Sequence, residues 1–168
     1  MKYIFEDLKG FYSDKNILVT GHTGFKGGWL SLFLKHLNAN VFGISIERLE
    51  TSLKAGFDNK LLVDELIVDV NKTEIYKKKI KSFKPEIIFY LAAQPLVREA
   101  FLNPIKTFQS NVLGLIKFLN LLRDIDEAKL VLIVTSDKVY EETDQEIKFL
   151  ETDRLGGIEP YGASKTYC

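Results

Sequence analysis

Tyr161 and Lys165 stand four residues apart in "PYGASK", so on a helix they share one face. A phenol has an ordinary pKa of about 10, and a lysine ammonium one turn away favours its ionised form. Such a phenolate can take the proton of an alcohol while a hydride leaves the same carbon. A bare Y-x-x-x-K pair is common on surface helices, so the pair gains meaning only from its surroundings. Just upstream, "TSDKVY" places a hydroxyl, a carboxylate and an ammonium at Ser136, Asp137 and Lys138, where an apolar run ends.

The second chemical signal lies near the start of the chain. In "NILVTGHTGFKGGWL" three glycines, Gly21, Gly24 and Gly27, recur every third residue after an apolar run. Glycine permits a tight turn, lets backbone approach a pyrophosphate, and lets a helix pack closely on a strand. The start of the following helix offers unpaired N–H groups to that pyrophosphate. Glu47 follows Gly27 at the end of the next apolar run, placed to accept from a ribose diol and to repel a 2′-phosphate. That favours NAD over NADP; Arg48 beside it pulls the other way. The alternative is a glycine-rich turn with no ligand.

Both signals need a scaffold, and the apolar pattern supplies one. Short apolar runs at 16–20, 41–47, 65–70, 86–93 and 129–136 read as buried strands. Helical spacing separates them: from Gly24 to about Asn38, over 72–83, and over 104–125 with Pro104 at the start. A further helix begins at "PYGASKTYC". The alternation predicts a doubly wound α/β domain with a parallel sheet and right-handed crossovers. Ligands of such sheets bind beyond the carboxyl ends of the strands. The glycine turn, Glu47, Asp69, Ala92-Ala93-Gln94 and Ser136–Lys138 all fall on that rim.

The totals fit this reading. The 168 residues suffice for one domain; 46% are hydrophobic and 27% charged, a soluble globular balance. Lys+Arg and Asp+Glu both number 23, which argues against a nucleic-acid partner and a polybasic membrane anchor. The single cysteine, Cys168, cannot form an internal disulfide, and a reducing cytoplasm is the default location. "MKYIFEDLKGFY" lacks the apolar centre of a signal peptide. The lysine run 77–79 reads as a solvated helix face, and no metal-ligand cluster stands out.

The segments "VTGHTGFKGGWLSLFL", "KPEIIFYLAAQPLVR", "NPIKTFQSNVLG", "TSDKVY" and "PYGASK" together resemble the N-terminal part of the extended short-chain dehydrogenase/reductases. Within that superfamily the chain is most similar to the CDP-glucose 4,6-dehydratases. His22, Phe25-Lys26-Gly27, Gln94–Arg98 and Asp137-Lys138 carry the narrower likeness. The resemblance implies a Rossmann-type NAD-binding domain over 1–168, cut before the substrate-binding lobe. It implies that Tyr161, assisted by Lys165 and Ser136, removes the 4-hydroxyl proton while NAD takes hydride from C4. Water then leaves across C5–C6, with Asp137 as the acid and Lys138 as the base, and hydride returns to C6. A lysine base must be neutral, which needs burial or a cationic neighbour.

The resemblance also assigns the cofactor contacts. Thr23, Phe25 and Lys26 face the pyrophosphate through their backbone, among Gly21, Gly24 and Gly27. Glu47 holds the adenosine ribose, and Asp69 and Val70 meet the adenine. Ala92, Ala93 and Gln94 line the nicotinamide side, with Ser110 and Asn111 behind. Asn111 reads as a structural residue that bonds backbone, Ala92 and Ala93 equally as close-packed strand end, and His22 as a spacer in the turn. Arg98 reads as a ligand of the substrate diphosphate or as a surface helix cap. The implied partners are a nucleotide sugar, CDP-glucose first, and a second copy of the full-length protein in a homodimer.

Relatives of this kind continue for about as long again, which predicts a fragment or truncated product with little dehydratase activity of its own. After Tyr140 the chain has Glu141 where relatives of the dTDP type have glycine. Two other readings stand beside the first: another nucleotide-sugar epimerase or dehydratase, such as a UDP-N-acetylglucosamine 4,6-dehydratase, and a non-catalytic NAD-binding remnant.

Overall fold

The computed structural model describes residues 2–47, 62–141 and 148–168. Five strands form one parallel sheet: β1 (Asn16–Thr20), β2 (Asn40–Ser45), β3 (Asp64–Ile67), β4 (Ile87–Tyr90) and β5 (Leu130–Ile133), in the order β3-β2-β1-β4-β5. The helices are α1 (Lys2–Tyr12), α2 (Phe25–His36), α3 (Thr73–Phe83), α4 (Val97–Leu102), α5 (Pro104–Phe108), α6 (Gly114–Leu122) and α7 (Pro160–Thr166). This is the doubly wound α/β fold expected from the sequence. The strand order reverses between β1 and β4, which opens a crevice at their carboxyl ends.

Both faces of the sheet are covered, which is why the central strands read as unbroken apolar runs. Leu18, Phe42, Ile44 and Ile88 pack on one side against Tyr76 and Ile80 of α3 and Phe118 and Leu121 of α6. Ile17, Val19, Val41 and Ile87 face the other side, with Leu34 of α2. The edge strands differ: Leu130 and Leu132 of β5 and Ile67 of β3 are exposed.

Some local features depart from the sequence reading. Helix α1 precedes β1, where no element is expected, and α4 fills part of the stretch between β4 and Pro104. The long helix expected over 104–125 is interrupted: Gln109–Leu113 form a π turn between α5 and α6. On α2 the buried face is Gly27, Gly28, Ser31 and Leu34, whereas Phe25, Trp29 and Phe33 point outward. Close packing of α2 on the sheet selects small residues, so its aromatic residues lie on the opposite side. Among the described residues no helix is long and apolar enough to cross a membrane.

Candidate active site

A cleft of about 590 Å³ lies over the carboxyl ends of the strands. Gly21 through Gly27, Glu47, Asp69, Val70, Ala92, Ala93, Ser110, Tyr161 and Lys165 contribute to its walls, His22 excepted. Every cofactor candidate of the sequence reading except Gln94 therefore reaches the cleft.

The glycine turn is fixed from several directions. Gly21 has φ 73°, a left-handed conformation that disfavours any side chain, and its N–H donates to Ile44 O at 2.7 Å. A Cβ at Gly27 would overlap the Gly21 carbonyl, so α2 starts against the turn itself. Thr20, fully buried at the end of β1, accepts through Oγ1 from the N–H groups of Leu91 (3.1 Å) and Ala92 (3.0 Å). One hydroxyl thus joins the two strand ends that flank the crevice.

His22 is a bonded core residue rather than a spacer. Its ring is 2% exposed, with Nε2 2.9 Å from Glu65 Oε2 and Nδ1 3.1 Å from Ser45 Oγ. Ser45 Oγ in turn accepts the Thr23 N–H at 3.1 Å. A Cβ at Gly43 would sit 2.5 Å from the His22 ring, so that glycine makes the space the ring occupies. The signal lay in the chain: His22, Gly43 and Ser45 fall at the facing ends of β1 and β2.

At the adenosine side Glu47 is exposed beside the cleft, and Asp69 Oδ1 accepts from Asn71 N–H at 2.8 Å and Asn71 Nδ2 at 3.1 Å. Arg48 lies outside the described residues. On the far wall, Lys165 is buried and its Nζ donates to Val134 O at 2.9 Å. Burial pushes the Lys165 ammonium below its ordinary pKa; the Lys26 charge adds to that, and Cys168 opposes it. Helix α7 begins with Glu159, whose carboxylate accepts from the N–H groups of Tyr161 and Gly162, both at 2.7 Å. Pro160 occupies the first turn, so the helix that carries Tyr161 and Lys165 is capped at its start.

The remaining candidates sit at the rim or behind it. Asp137–Val139 form a 3₁₀ turn directly after β5's extended exit. Ser136 Oγ donates to Asp137 Oδ1 at 2.9 Å and accepts the Lys138 N–H at 3.2 Å. Val134 and Thr135 line the cleft, whereas Ser136, Asp137 and Lys138 lie just past it. Gln94 turns its side chain onto the scaffold, donating to Thr107 Oγ1 at 2.9 Å and accepting from Leu96 N–H at 2.6 Å. Asn111 sits in the π turn and bonds the Gln94 backbone, as its structural reading requires: Oδ1 accepts from Gln94 N–H at 2.7 Å and Nδ2 donates to Gln94 O at 3.2 Å. Sequence reading missed Ser45, Val134, Thr135 and Ser164; only strand ends and the place of Ser164 between Tyr161 and Lys165 pointed to them. Among the described residues no group of histidine, cysteine and carboxylate side chains could hold a metal ion.

Strand order and cleft define a Rossmann-type α/β protein. The sequence profile described as GDP-mannose 4,6 dehydratase matches residues 18–168, and the chain belongs to that family. It is 39% identical over 158 residues to CDP-glucose 4,6-dehydratase from Salmonella typhimurium, covering 94% of this chain and 44% of that protein. It is 31% identical over 149 residues to a putative UDP-glucose 4-epimerase from Methanocaldococcus jannaschii, covering 89% of this chain and 47% of the other. Among solved structures, the epimerase Mth375 from Methanothermobacter thermautotrophicus superposes with a TM-score of 0.82 at 25% identity, over 98% of this chain and 48% of that one. MoeE5, solved in complex with UDP-glucose and NAD, gives a TM-score of 0.74 at 25% identity, over 90% and 46% of the two chains. The chain thus spans less than half the length of these relatives.

Proposed function

We propose that this chain is the NAD-binding part of a nucleotide-sugar 4,6-dehydratase, a hydro-lyase acting on CDP-glucose. The 39% identity to a CDP-glucose 4,6-dehydratase across nearly the whole chain carries this reading. The residues present suit the cofactor. Gly21's left-handed turn and the bare Gly27 let the start of α2 sit directly against the turn, at the wall of the cleft where a pyrophosphate would lie. Thr23, Gly24, Phe25 and Lys26 present the start of α2 to it; Glu47 takes the ribose, Asp69 and Val70 the adenine, and Ala92, Ala93 and Ser110 the nicotinamide side.

NAD held by these residues would supply the hydride acceptor for C4 and the hydride donor for C6. The chain's own residues move the protons. Tyr161 Oη takes the 4-hydroxyl proton. Lys165, held against Val134 O, stands one helical turn from Tyr161, and Ser136 assists from the rim. Asp137 protonates the departing 6-hydroxyl and Lys138 takes the C5 proton, so the elements of one water leave; Lys138 gives a proton back to C5 when C6 is reduced. Gln94 contributes by holding the loop after β4 rather than by facing the cleft. The full-length protein is a cytoplasmic homodimer in this reading, in which the exposed Leu102, Ile105, Leu113 and Ile116 of the α4–α6 region are surface for a second copy to cover.

The likeness to a putative UDP-glucose 4-epimerase favours a second reading, in which C4 is oxidised and re-reduced with no water lost. One experiment separates them. The full-length protein is incubated with CDP-, dTDP- and UDP-glucose and the products are weighed by mass spectrometry. A CDP-sugar product lighter by one water is expected. A product of unchanged mass with inverted C4 would replace this reading by the epimerase.

A further inference from the structure

One buried polar residue between the two proposed catalytic side chains has no part in that chemistry. Ser164 is fully buried, and its hydroxyl donates to Tyr161 O at 2.7 Å. Its oxygen also accepts from Asn111 Nδ2 at 2.8 Å. Asn111 is 1% exposed, and its amide is fully used: the carbonyl oxygen takes the Gln94 N–H, and the two amide protons go to Gln94 O and to Ser164. The Cys168 thiol adds a weaker link to the same two residues, 3.5 Å from Asn111 O and 3.3 Å from Ser164 O. The π turn at Gln109–Leu113 inserts an extra residue into the helix at this point, a feature common at functional sites.

We propose that Ser164 is a positioning residue, whose hydroxyl ties α7 to Asn111 and so fixes Tyr161 relative to the loop at Gln94. The proposal rests on the reading of Tyr161 as the base only for its effect on catalysis. A serine in a helix often bonds back to a carbonyl of the preceding turn, and that bond alone would be local. The second bond is not local: it spans 53 positions to Asn111, and Asn111 spans 17 more to Gln94. The two walls of the nicotinamide end are therefore joined through one hydroxyl and one carboxamide. Because every donor is spent, removing the hydroxyl leaves an amide proton of Asn111 buried and unpaired.

The test reads the far end of the link. Amide hydrogen exchange is followed by NMR in this chain and in Ser164→Ala. Exchange at Gln94 is expected to quicken about tenfold while the β1 amides hold steady, the signature of local rather than global opening. Ser164→Cys, nearly the same size and a poor acceptor, should move Gln94 the same way if the alanine variant does not fold. Asn111→Asp loses both donors, and adding Ser164→Ala to it should change Gln94 no further. Unchanged protection at Gln94 in the Ser164 variants, or additive effects in the double variant, would overturn the proposal. In the full-length protein Ser164→Ala should lower kcat about tenfold with the nucleotide-sugar KM nearly unchanged, as a misplaced catalytic group does. Loosened Gln94 with normal kcat would overturn the positioning role. A wild type that dehydrates no nucleotide sugar would sink the proposed function instead, and the Gln94 measurement would stand apart from it.

Discussion

The glycine turn after β1 and the polar turn after β5 stand at corresponding strand ends yet are built differently. In the first, His22 and Thr23 are buried, Gly21 must be left-handed, and Gly27 has no room for a methyl group. Backbone geometry and packing decide the shape, and side chains at the surface of the turn contribute little to it. In the second, no residue of Asp137–Val139 is buried, and among the described residues Ser136 bonds its near neighbours Asp137, Lys138 and Val139. The lesson is a division of labour. In the proposed reading the turn that would meet the cofactor's phosphates is made rigid by the core, whereas Asp137 and Lys138 sit on a short rim where their identity matters more than their packing.

Substitutions at the two ends should therefore fail in different ways. The largest effect is expected at the rim. Lys138→Ala in the full-length protein should slow exchange of the sugar C5 proton with solvent by about a hundredfold or more, the usual worth of a general base. Normal C5 exchange would remove Lys138 from that role. Next comes Gly27→Ala, whose methyl group must displace the Gly21 backbone. It should cost about 1–3 kcal/mol of stability, as overpacking does, and weaken NADH binding measured by fluorescence titration. A variant that melts and binds like wild type would show that the turn has slack.

Thr20→Val sharpens the same contrast from beneath the crevice. It keeps the shape but strands the Ala92 N–H and leaves the Leu91 N–H only its longer bond to the Thr20 carbonyl, at 3.3 Å. A loss of about 1–3 kcal/mol in urea unfolding is expected, the cost of burying an unsatisfied donor. The smallest effect belongs to neither turn. Asp124 on the outer surface lies 2.7 Å from Lys77 and 3.4 Å from Lys81, and these lysines hold its carboxyl below the ordinary range. A carboxylate lowered on folding stabilises the protein above its unfolded pKa, and that stabilisation fades as pH falls through the folded one. The pair is solvent-exposed, so Asp124→Asn should shift the melting temperature by no more than about one degree at neutral pH, and less still in high salt.

How much of this was legible depended on whether a feature was local. "NILVT" gave β1 to the residue because a strand buried on both faces leaves an unbroken apolar run. The glycine spacing located the turn because Gly24 and Gly27 both answer to the Gly21 backbone a few residues before them, although Gly21 itself is pressed against Leu91 and Ala92. The β3 run was placed too long: "ELIVDV" looks continuous, yet Val68 and Val70 are buried beyond the strand's end, in the core under α3. Apolar periodicity reports burial, and burial does not stop where hydrogen-bonded pairing does. Helix α1 has no counterpart in the sequence reading because charges are scattered through its amphipathic pattern. The ties of His22 to Glu65 and of Asn111 to Ser164 were invisible because both cross between distant segments. The likeness to known dehydratases supplied the roles of Asp137 and Lys138, which no spacing rule could.

The bonds from Leu91 and Ala92 to Thr20 also bear on when the turn can form. They join residues 71 and 72 positions apart, and β1 pairs only with β2 and β4. A parallel sheet of this order cannot close locally, and distant pairing slows folding. On a ribosome adding about 5–20 residues per second, β4 emerges several seconds after β1. Through that interval the glycine turn has half its wall, and the crevice exists only once the fourth strand arrives.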